Sequence, residues 1–295
     1  MLDFDFLEPA SVAEASRMVA DLGEDGRVIA GGTALMLAMR QRMLTPSHLV
    51  SVGHLQPLRG ITADGNGWLR IGALCTHAEV AASPLIRAQW PMLASMAARV
   101  ANPQVRHQGT LGGNLCYADP ATDPPGCLLA LDAQVVLASA RGERVLPMAD
   151  FLVDYYTTAL EPDELLTEIR VPPLAADATG LYTRHLRTAA EHRPLASVAL
   201  FARRQGSVCT EVRIAVGAST PIPTRVARAE ACLTGKAITP SLVAEAAAIV
   251  AADITPVDDA RGSADYRRHI VGVVARRSLA QLFGLQGDNT MWNKP

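Results

Sequence analysis

Gly109, Gly112 and Gly113 crowd into the stretch Arg106-His-Gln-Gly-Thr-Leu-Gly-Gly-Asn-Leu-Cys-Tyr-Ala-Asp-Pro-Ala-Thr-Asp-Pro-Pro125. Asn114, Asp119 and Asp123 follow, and Pro120, Pro124 and Pro125 break the chain. Glycine lets a backbone turn tightly and approach a ligand closely. Small residues with short polar side chains, set between regular elements, suit a phosphate-bearing group. An ordinary surface turn has the same make-up, so this stretch alone leaves both readings open. A second pair, Gly31-Gly32 with Thr33 behind it, stands where the strand-like run Arg27-Val-Ile-Ala30 meets a helix-like one. Amides at a helix start are unpaired and favour a phosphate. This loop is neither a Walker A loop nor GxGxxG, and a tight turn is the competing reading.

Other chemistry is scarce. Neither G-x-S-x-G nor H-E-x-x-H occurs. The histidines are scattered without metal-ligand spacing, and His107 stands out only because it abuts the central stretch. Cys75, Cys116, Cys127, Cys209 and Cys232 form no CxxC pair, which disfavours a disulfide framework, a structural zinc or a four-cysteine cluster. Free thiols in a reducing cytoplasm are the simplest reading. Asp119 and Asp123 read either as an acid–base pair or as positioning groups. A carboxylate close to phosphates is repelled unless it serves a hydroxyl or amide, so Asp123 is assigned an orienting role. Arg106 and Arg184 read either as stabilisers of a reduced, anionic ring or as solvated arginines. No residue is assigned to direct catalysis or to a metal. Two glycine loops with no nucleophile and no ligand set imply a redox cofactor carrying a diphosphate, which brings the chemistry itself.

The elements that must position these loops come next. A chain of 295 residues makes one large or two to three small domains. At 49% hydrophobic it can bury a sizeable core. Its 4% aromatic content leaves few stacking platforms for single-stranded nucleic acid. A formal net charge of -2, without a basic run, argues against nucleic acid and anionic membrane as partners. The N-terminus lacks a basic segment ahead of an apolar one, and no stretch approaches a membrane span. A cytoplasmic protein without stable membrane insertion is expected.

Along the chain, a strand at Phe4–Pro9 leads to a helix opened by Ser11, with Glu14 as its capping-box partner. Strands at Arg27–Ala30 and Leu49–Val52 flank a second helix with Leu35, Met36, Met39 and Met43 inward. This β-α-β-α-β rhythm favours parallel pairing. Thr76 caps a helix from His77 with Glu79 in its first turn, and a more apolar helix spans Met92–Val100. Mixed or antiparallel sheet is expected in the middle part, with strands meeting at Arg141-Gly142 and another at Glu164–Val171. Pro172-Pro173 and the run 175–180 form the best boundary. Strands at Ala196–Ala202 and Cys209–Val216 and helices at Arg225–Leu233, Ser241–Ala252 and Tyr266–Leu285 follow. The tail after Gly284 is expected to fray or to dock on a partner.

Together, Ala30-Gly-Gly-Thr-Ala-Leu35, Gln108-Gly-Thr-Leu-Gly-Gly-Asn-Leu115 and Ala118-Asp-Pro-Ala-Thr-Asp-Pro-Pro125 resemble the FAD-binding medium subunit of the molybdenum hydroxylases. This is the family of aerobic carbon monoxide dehydrogenases and xanthine-dehydrogenase-like enzymes. Asp259-Ala-Arg-Gly-Ser-Ala-Asp-Tyr-Arg-Arg-His269 resembles the start of that family's last domain, and the likeness spans nearly the whole chain. It implies an α+β fold: a two-subdomain FAD-binding module like those of vanillyl-alcohol oxidase and PCMH-type flavoproteins, then a C-terminal α+β domain with a small antiparallel sheet and helices. The expected boundaries are 1–55 and 56–175 for the FAD-binding subdomains and 176–290 for the domain covering the flavin.

The resemblance also implies a cofactor set. Ala30, Gly31, Gly32, Thr33, Ala34 and Leu35, with Thr110, Leu111, Gly112, Gly113 and Asn114, would cradle the diphosphate. Ala101 and Asp123 would lie in the same region, Leu166 by the adenine or flavin, and Thr183 or Arg184 by the isoalloxazine. Implied partners are a small subunit with two [2Fe–2S] clusters and a large subunit with a molybdenum–pterin cofactor, assembled as a dimer of heterotrimers. Electrons would pass from molybdenum through the clusters to FAD, then to NAD, a quinone or oxygen. The chain departs from the family in Tyr182–Pro194, where Thr183 replaces a lysine common in relatives and Pro194-Leu-Ala-Ser replaces an acidic segment. The cysteine-bearing insertion of some relatives is absent. The rival readings are a stand-alone FAD-dependent oxidase or dehydrogenase and an assembly subunit without flavin.

Overall fold

Ser11 starts the first helix, Val12–Leu22, as its hydroxyl predicts: the Glu14 amide donates to Ser11 Oγ at 3.2 Å, but Glu14 Oε2 accepts from the Ala10 amide at 2.7 Å rather than from Ser11, so the expected capping box is only half made. The computed structural model describes residues 2–285. The tail expected to fray or dock lies, from residue 286, outside the described residues. The chain divides into two units, residues 1–119 with 132–173, and residues 120–131 with 174–295.

In the first unit the opening rhythm closes into a parallel three-stranded sheet, ordered Asp5–Leu7, His48–Ser51, Gly26–Ile29. The helix Val12–Leu22 covers it, and Ala15, Val50, Val52, Leu55, Leu58, Leu74 and Leu165 form one buried cluster. Met39 is buried, but Met43 is 71% exposed, a correction to its inward placement. The helix Leu35–Arg40 ends early, and Arg42 at φ 56 turns the chain away before Met43 can rejoin the apolar face. The middle part forms a five-stranded antiparallel sheet ordered Ile61–Ala63, Leu69–Gly72, Leu165–Val171, Gln134–Ser139, Gly142–Pro147. Thr76 and Glu79 make a complete capping box on the helix His77–Ala82.

The glycine-rich stretch is less of a loop than its composition suggests. It folds into the short helices Pro103–Gln108, Leu111–Tyr117 and Pro124–Ala130. Asn102 and Thr110 cap the first two, and prolines occupy the first turns of the first and third, where a missing amide costs nothing. The third helix belongs to the second unit.

The second unit is built on an antiparallel sheet ordered Ala178–His185, Ala196–Gln205, Val208–Gly217, Thr224–Arg225. Its first strand occupies part of the run that composition marks as a boundary; Gly180 pairs with Phe201 inside the sheet. Val198, Leu200, Ile214 and Val216 join Leu233, Val243, Val250, Val271 and Leu279 from the helices Ala227–Leu233, Pro240–Asp253 and Ala264–Leu282 in one core.

Candidate functional site

The first glycine pair follows the strand Gly26–Ile29 and leads into the helix Leu35–Arg40. Among the described residues, the amides of Gly32, Thr33, Ala34 and Leu35 donate to no protein group. No side chain caps the helix. Gly32 has φ +66, and a left-handed residue within a turn lets successive amides converge on an anion. Open amides are usual at the start of a helix, and such a set favours an anion.

The second glycine stretch packs directly on the first. A Cβ on Gly31 would fall 2.0 Å from the Gln108 carbonyl oxygen. One on Gly109 would stand 3.2 Å from Thr33 Oγ1, and one on Gly113 3.9 Å from Ala30 Cβ. The two loops therefore meet backbone to backbone, and glycine at position 31 is a steric requirement. The two segments nevertheless differ in what they offer. The Leu111, Gly112 and Gly113 amides already donate to Cys75 O, Ala73 O and Thr110 Oγ1. Leu111 is fully buried, and a Cβ on Gly112 would lie 2.6 Å from Ala73 Cβ. Gly112 thus serves close packing, whereas Gly113 is exposed and Asn114 half-buried.

Both loops border a cleft of about 600 Å³ whose lining includes Ala30, Gly31, Arg59, Glu79, His107 and Thr110. Behind it His77 is buried, with its amide on Gly109 O at 3.1 Å and its Nδ1 without a hydrogen-bond partner among the described residues. Burial, aided by the Arg106 charge, lowers the His77 pKa to about 4. Arg106 donates to the Val100 and Ala101 carbonyls at 2.9 and 3.0 Å, which ties down Ala101 at φ 42. That structural role replaces the solvated reading of Arg106. Leu166 is buried in the strand Leu165–Val171, against which the helix Leu111–Tyr117 packs.

Asp123, Thr183 and Arg184 lie in the second unit. Asp123 precedes the helix Pro124–Ala130 but its side chain does not cap it. Instead the Tyr182 hydroxyl donates to Asp123 Oδ1 at 2.6 Å and Arg184 Nη1 to Oδ2 at 3.0 Å. The carboxylate is 3% exposed, a charge that burial tolerates only when it is paired and hydrogen-bonded. Adjacent strand residues point to opposite faces, so Thr183 faces away from Arg184, and its hydroxyl meets Ser278 Oγ at 2.9 Å. Tyr182 escaped sequence reading because an isolated tyrosine in a strand of mixed polarity carries no local signal; only the fold sets it against Asp123. Among the described residues, no cluster of three or more His, Cys, Asp or Glu could hold a metal, and no helix is long and apolar enough to cross a membrane.

Residues 2–174 match the FAD binding domain in molybdopterin dehydrogenase, and residues 182–282 match the CO dehydrogenase flavoprotein C-terminal domain. The chain belongs to the flavoprotein family of the molybdopterin dehydrogenases. It is similar to the carbon monoxide dehydrogenase medium chain of Hydrogenophaga pseudoflava, 34% identical over 94% of this chain and 96% of that one. It is equally similar, at 34% identity and 94% coverage of both chains, to the 6-hydroxypseudooxynicotine dehydrogenase complex subunit alpha of Paenarthrobacter nicotinovorans. A solved structure of carbon monoxide dehydrogenase from Hydrogenophaga pseudoflava matches with a TM-score of 0.93 and 35% identity, over 97% of this chain and 99% of that chain. The α+β fold inferred from sequence is that of these flavoproteins, and FAD is the cofactor of this chain.

Proposed function

We propose that this chain is the electron-transfer subunit of a molybdenum-containing hydroxylase and that its first glycine loop is the main anchor of the FAD diphosphate. The observation that carries this reading is the run of open amides from Gly32 to Leu35, set against the backbone of Gln108 and Gly109. The residues fit the group: the donors are backbone amides, Thr33 adds a hydroxyl, and the Glu79 carboxylate in the cleft lining accepts from the Thr76 amide and hydroxyl. The segment 110–114 serves as the wall behind that anchor, with Gly113 and Asn114 as its open face and Thr110, Leu111 and Gly112 holding it in place. Ala101 and Leu166 support the same wall. In the second unit Asp123, Thr183 and Arg184 stay candidate cofactor contacts, Arg184 paired with Asp123 and Thr183 with Ser278.

Bound FAD supplies the capacity to accept electrons from one donor and release them to another. The protein's part is to hold the diphosphate through fixed dipoles. No side chain of this set needs to exchange a proton with a substrate. The electrons come from [2Fe–2S] clusters of a small partner subunit, fed by a large subunit whose molybdenum–pterin oxidises the substrate, and leave to NAD, a quinone or oxygen. The names of the relatives, a medium chain and a subunit of a dehydrogenase complex, support such an assembly, here a dimer of heterotrimers. Five free thiols, four of them buried, suit a reducing cytoplasm.

The test is purification of the chain with whatever accompanies it, followed by flavin absorbance and metal analysis. Flavin on this chain, with iron and molybdenum in two co-purifying partners, is the expected result. In Gly31→Ala the new Cβ meets the Gln108 carbonyl, and overpacking of this kind costs roughly 1–3 kcal/mol, so flavin affinity falls about tenfold to a hundredfold. A flavin-free wild-type complex would sink the reading. Flavin that stays on the denatured chain, without partners, would favour the stand-alone oxidase.

A further inference from the structure

Gly31 and Gln108, where the two glycine stretches touch, both line the cleft of about 600 Å³, and all of its lining residues belong to the first unit. A cleft of that size is in the range of a cofactor site. The open amides begin one residue beyond Gly31, at Gly32. The lining contains no Phe, Tyr or Trp and is polar at its charged residues, Arg59 and Glu79, which are both exposed. Glu79 Oε2 accepts from the Thr76 amide at 2.7 Å and from the Thr76 hydroxyl at 2.9 Å, while Oε1 has no partner among the described residues. Arg59 Nη2 donates to the Gly53 carbonyl at 2.8 Å, and its other donors have no partner among the described residues. Each charged group is therefore fastened through one atom and open at another.

We propose that this cleft is the subsite for the adenosine half of FAD, with Glu79 accepting from the ribose hydroxyls and Arg59 lying against the adenine. This inference rests on the FAD reading above and assigns one half of the cofactor to this side of the phosphate loop. A carboxylate beside a phosphate loop is repelled unless it serves a hydroxyl, and the diol of a ribose offers a pair of them. A guanidinium plane stacks on the face of a base, and the bond to Gly53 holds that plane in place. The isoalloxazine half suits the cleft poorly. It gains negative charge on reduction, and the Glu79 charge would oppose that gain. The adenosine half keeps the same charge through the redox cycle, so a carboxylate beside it favours neither state.

The experiment measures binding of FAD, FMN and ADP to the full chain freed of flavin, wild type against Glu79→Gln. Flavin fluorescence follows FAD and FMN directly, and displacement of FAD follows ADP. FMN carries a phosphate to the loop but lacks the adenosine half, so it is the internal control. Glutamine keeps the capping bonds with Thr76 and loses the charge. Hydrogen bonds to a charged group are among the stronger ones, so FAD and ADP should bind Glu79→Gln about tenfold more weakly, with FMN binding unchanged. A purely structural effect would pass through Thr76, which bridges to Thr110, and would weaken FMN as well. Equal factors for FAD and FMN, or an unchanged affinity for FAD or ADP, overturn the proposal while leaving the FAD reading intact. A wild-type chain that binds no flavin overturns both. Should Glu79→Gln fail to fold, Arg59→Gln, an exposed position on the opposite charge, is judged by the same criteria.

Discussion

His77 shows how a single buried side chain ties the second glycine stretch to pH. It lies beneath Gly109, 2% exposed, with its amide on the Gly109 carbonyl. Burial and the Arg106 charge hold its pKa at about 4 in the folded chain, against an ordinary value of 6.5. Above pH 6.5 the imidazole is neutral in both folded and unfolded chains and has no effect on the balance. As pH falls from 6.5 towards 4, the unfolded chain takes up a proton that the folded chain refuses, so stability is lost through that window and levels off below it. The size of the loss is about 3 kcal/mol, from the width of the window at 1.36 kcal/mol per pH unit. Denaturant unfolding of the apoprotein at pH 7 and pH 4.5, wild type against His77→Phe, measures it. The wild type should lose more stability than the variant over that interval, and an equal loss in both would exclude His77 as the cause.

At the scale of elements, capping accounts for much of what can be read in advance. Ser11 with Glu14 and Thr76 with Glu79 announce their helices in the sequence, and the structure places both caps there. Thr110 is a third cap, with Oγ1 accepting from the Gly113 amide at 3.1 Å, but the glycines around it disguise the helix it starts. Loss of such a cap costs about 1 kcal/mol. Ser11→Ala and Thr110→Ala should therefore lower the stability of the apoprotein by similar amounts in urea. Only Thr110→Ala should also loosen the flavin, because that cap holds the wall proposed to stand behind the diphosphate; equal flavin retention in the two variants would contradict this. Glycine composition pointed to the two candidate loops, yet it could not show which amides the fold leaves open. The amides of residues 111–113 are taken by Ala73, Cys75 and Thr110, partners distributed over nearly forty positions of sequence, while those of Gly32–Leu35 have none among the described residues. The strand Ala178–His185 stayed hidden for a related reason: its start looks like a linker after Pro172-Pro173, and only pairing with Ala196–Gln205 makes it a strand.

At the scale of the whole molecule, the least legible feature is the path of residues 120–131. They leave the first unit, complete the second, and the chain then returns to the first at Asp132, whose φ of 51 marks a tight turn. Nothing local in Pro120–Leu131 signals that its helix packs on the strands Ala196–Gln205, Val208–Gly217 and Thr224–Arg225, far along the sequence. The contacts are specific: the Ala218 amide donates to Pro120 O at 3.0 Å and Arg213 Nη1 to Ala130 O at 3.2 Å. Asp123, with its bonds to Tyr182 and Arg184, lies in the same segment. Cys127, Leu128 and Leu131 are fully buried. Without the segment, those contacts disappear and apolar surface of the sheet opens to water, a loss on the order of 5 kcal/mol at 1.5–3 kcal/mol per large side chain. That is comparable with the roughly 5–15 kcal/mol that holds a domain together. A chain of residues 174–295 alone should therefore lack a cooperative urea transition, although it contains all four strands of the sheet and three of the helices. Joining residues 120–131 to its N-terminus through a flexible Gly/Ser linker should restore the transition. If residues 174–295 unfold cooperatively and at the same midpoint with or without the joined segment, the second unit is independent of the loop that carries Asp123.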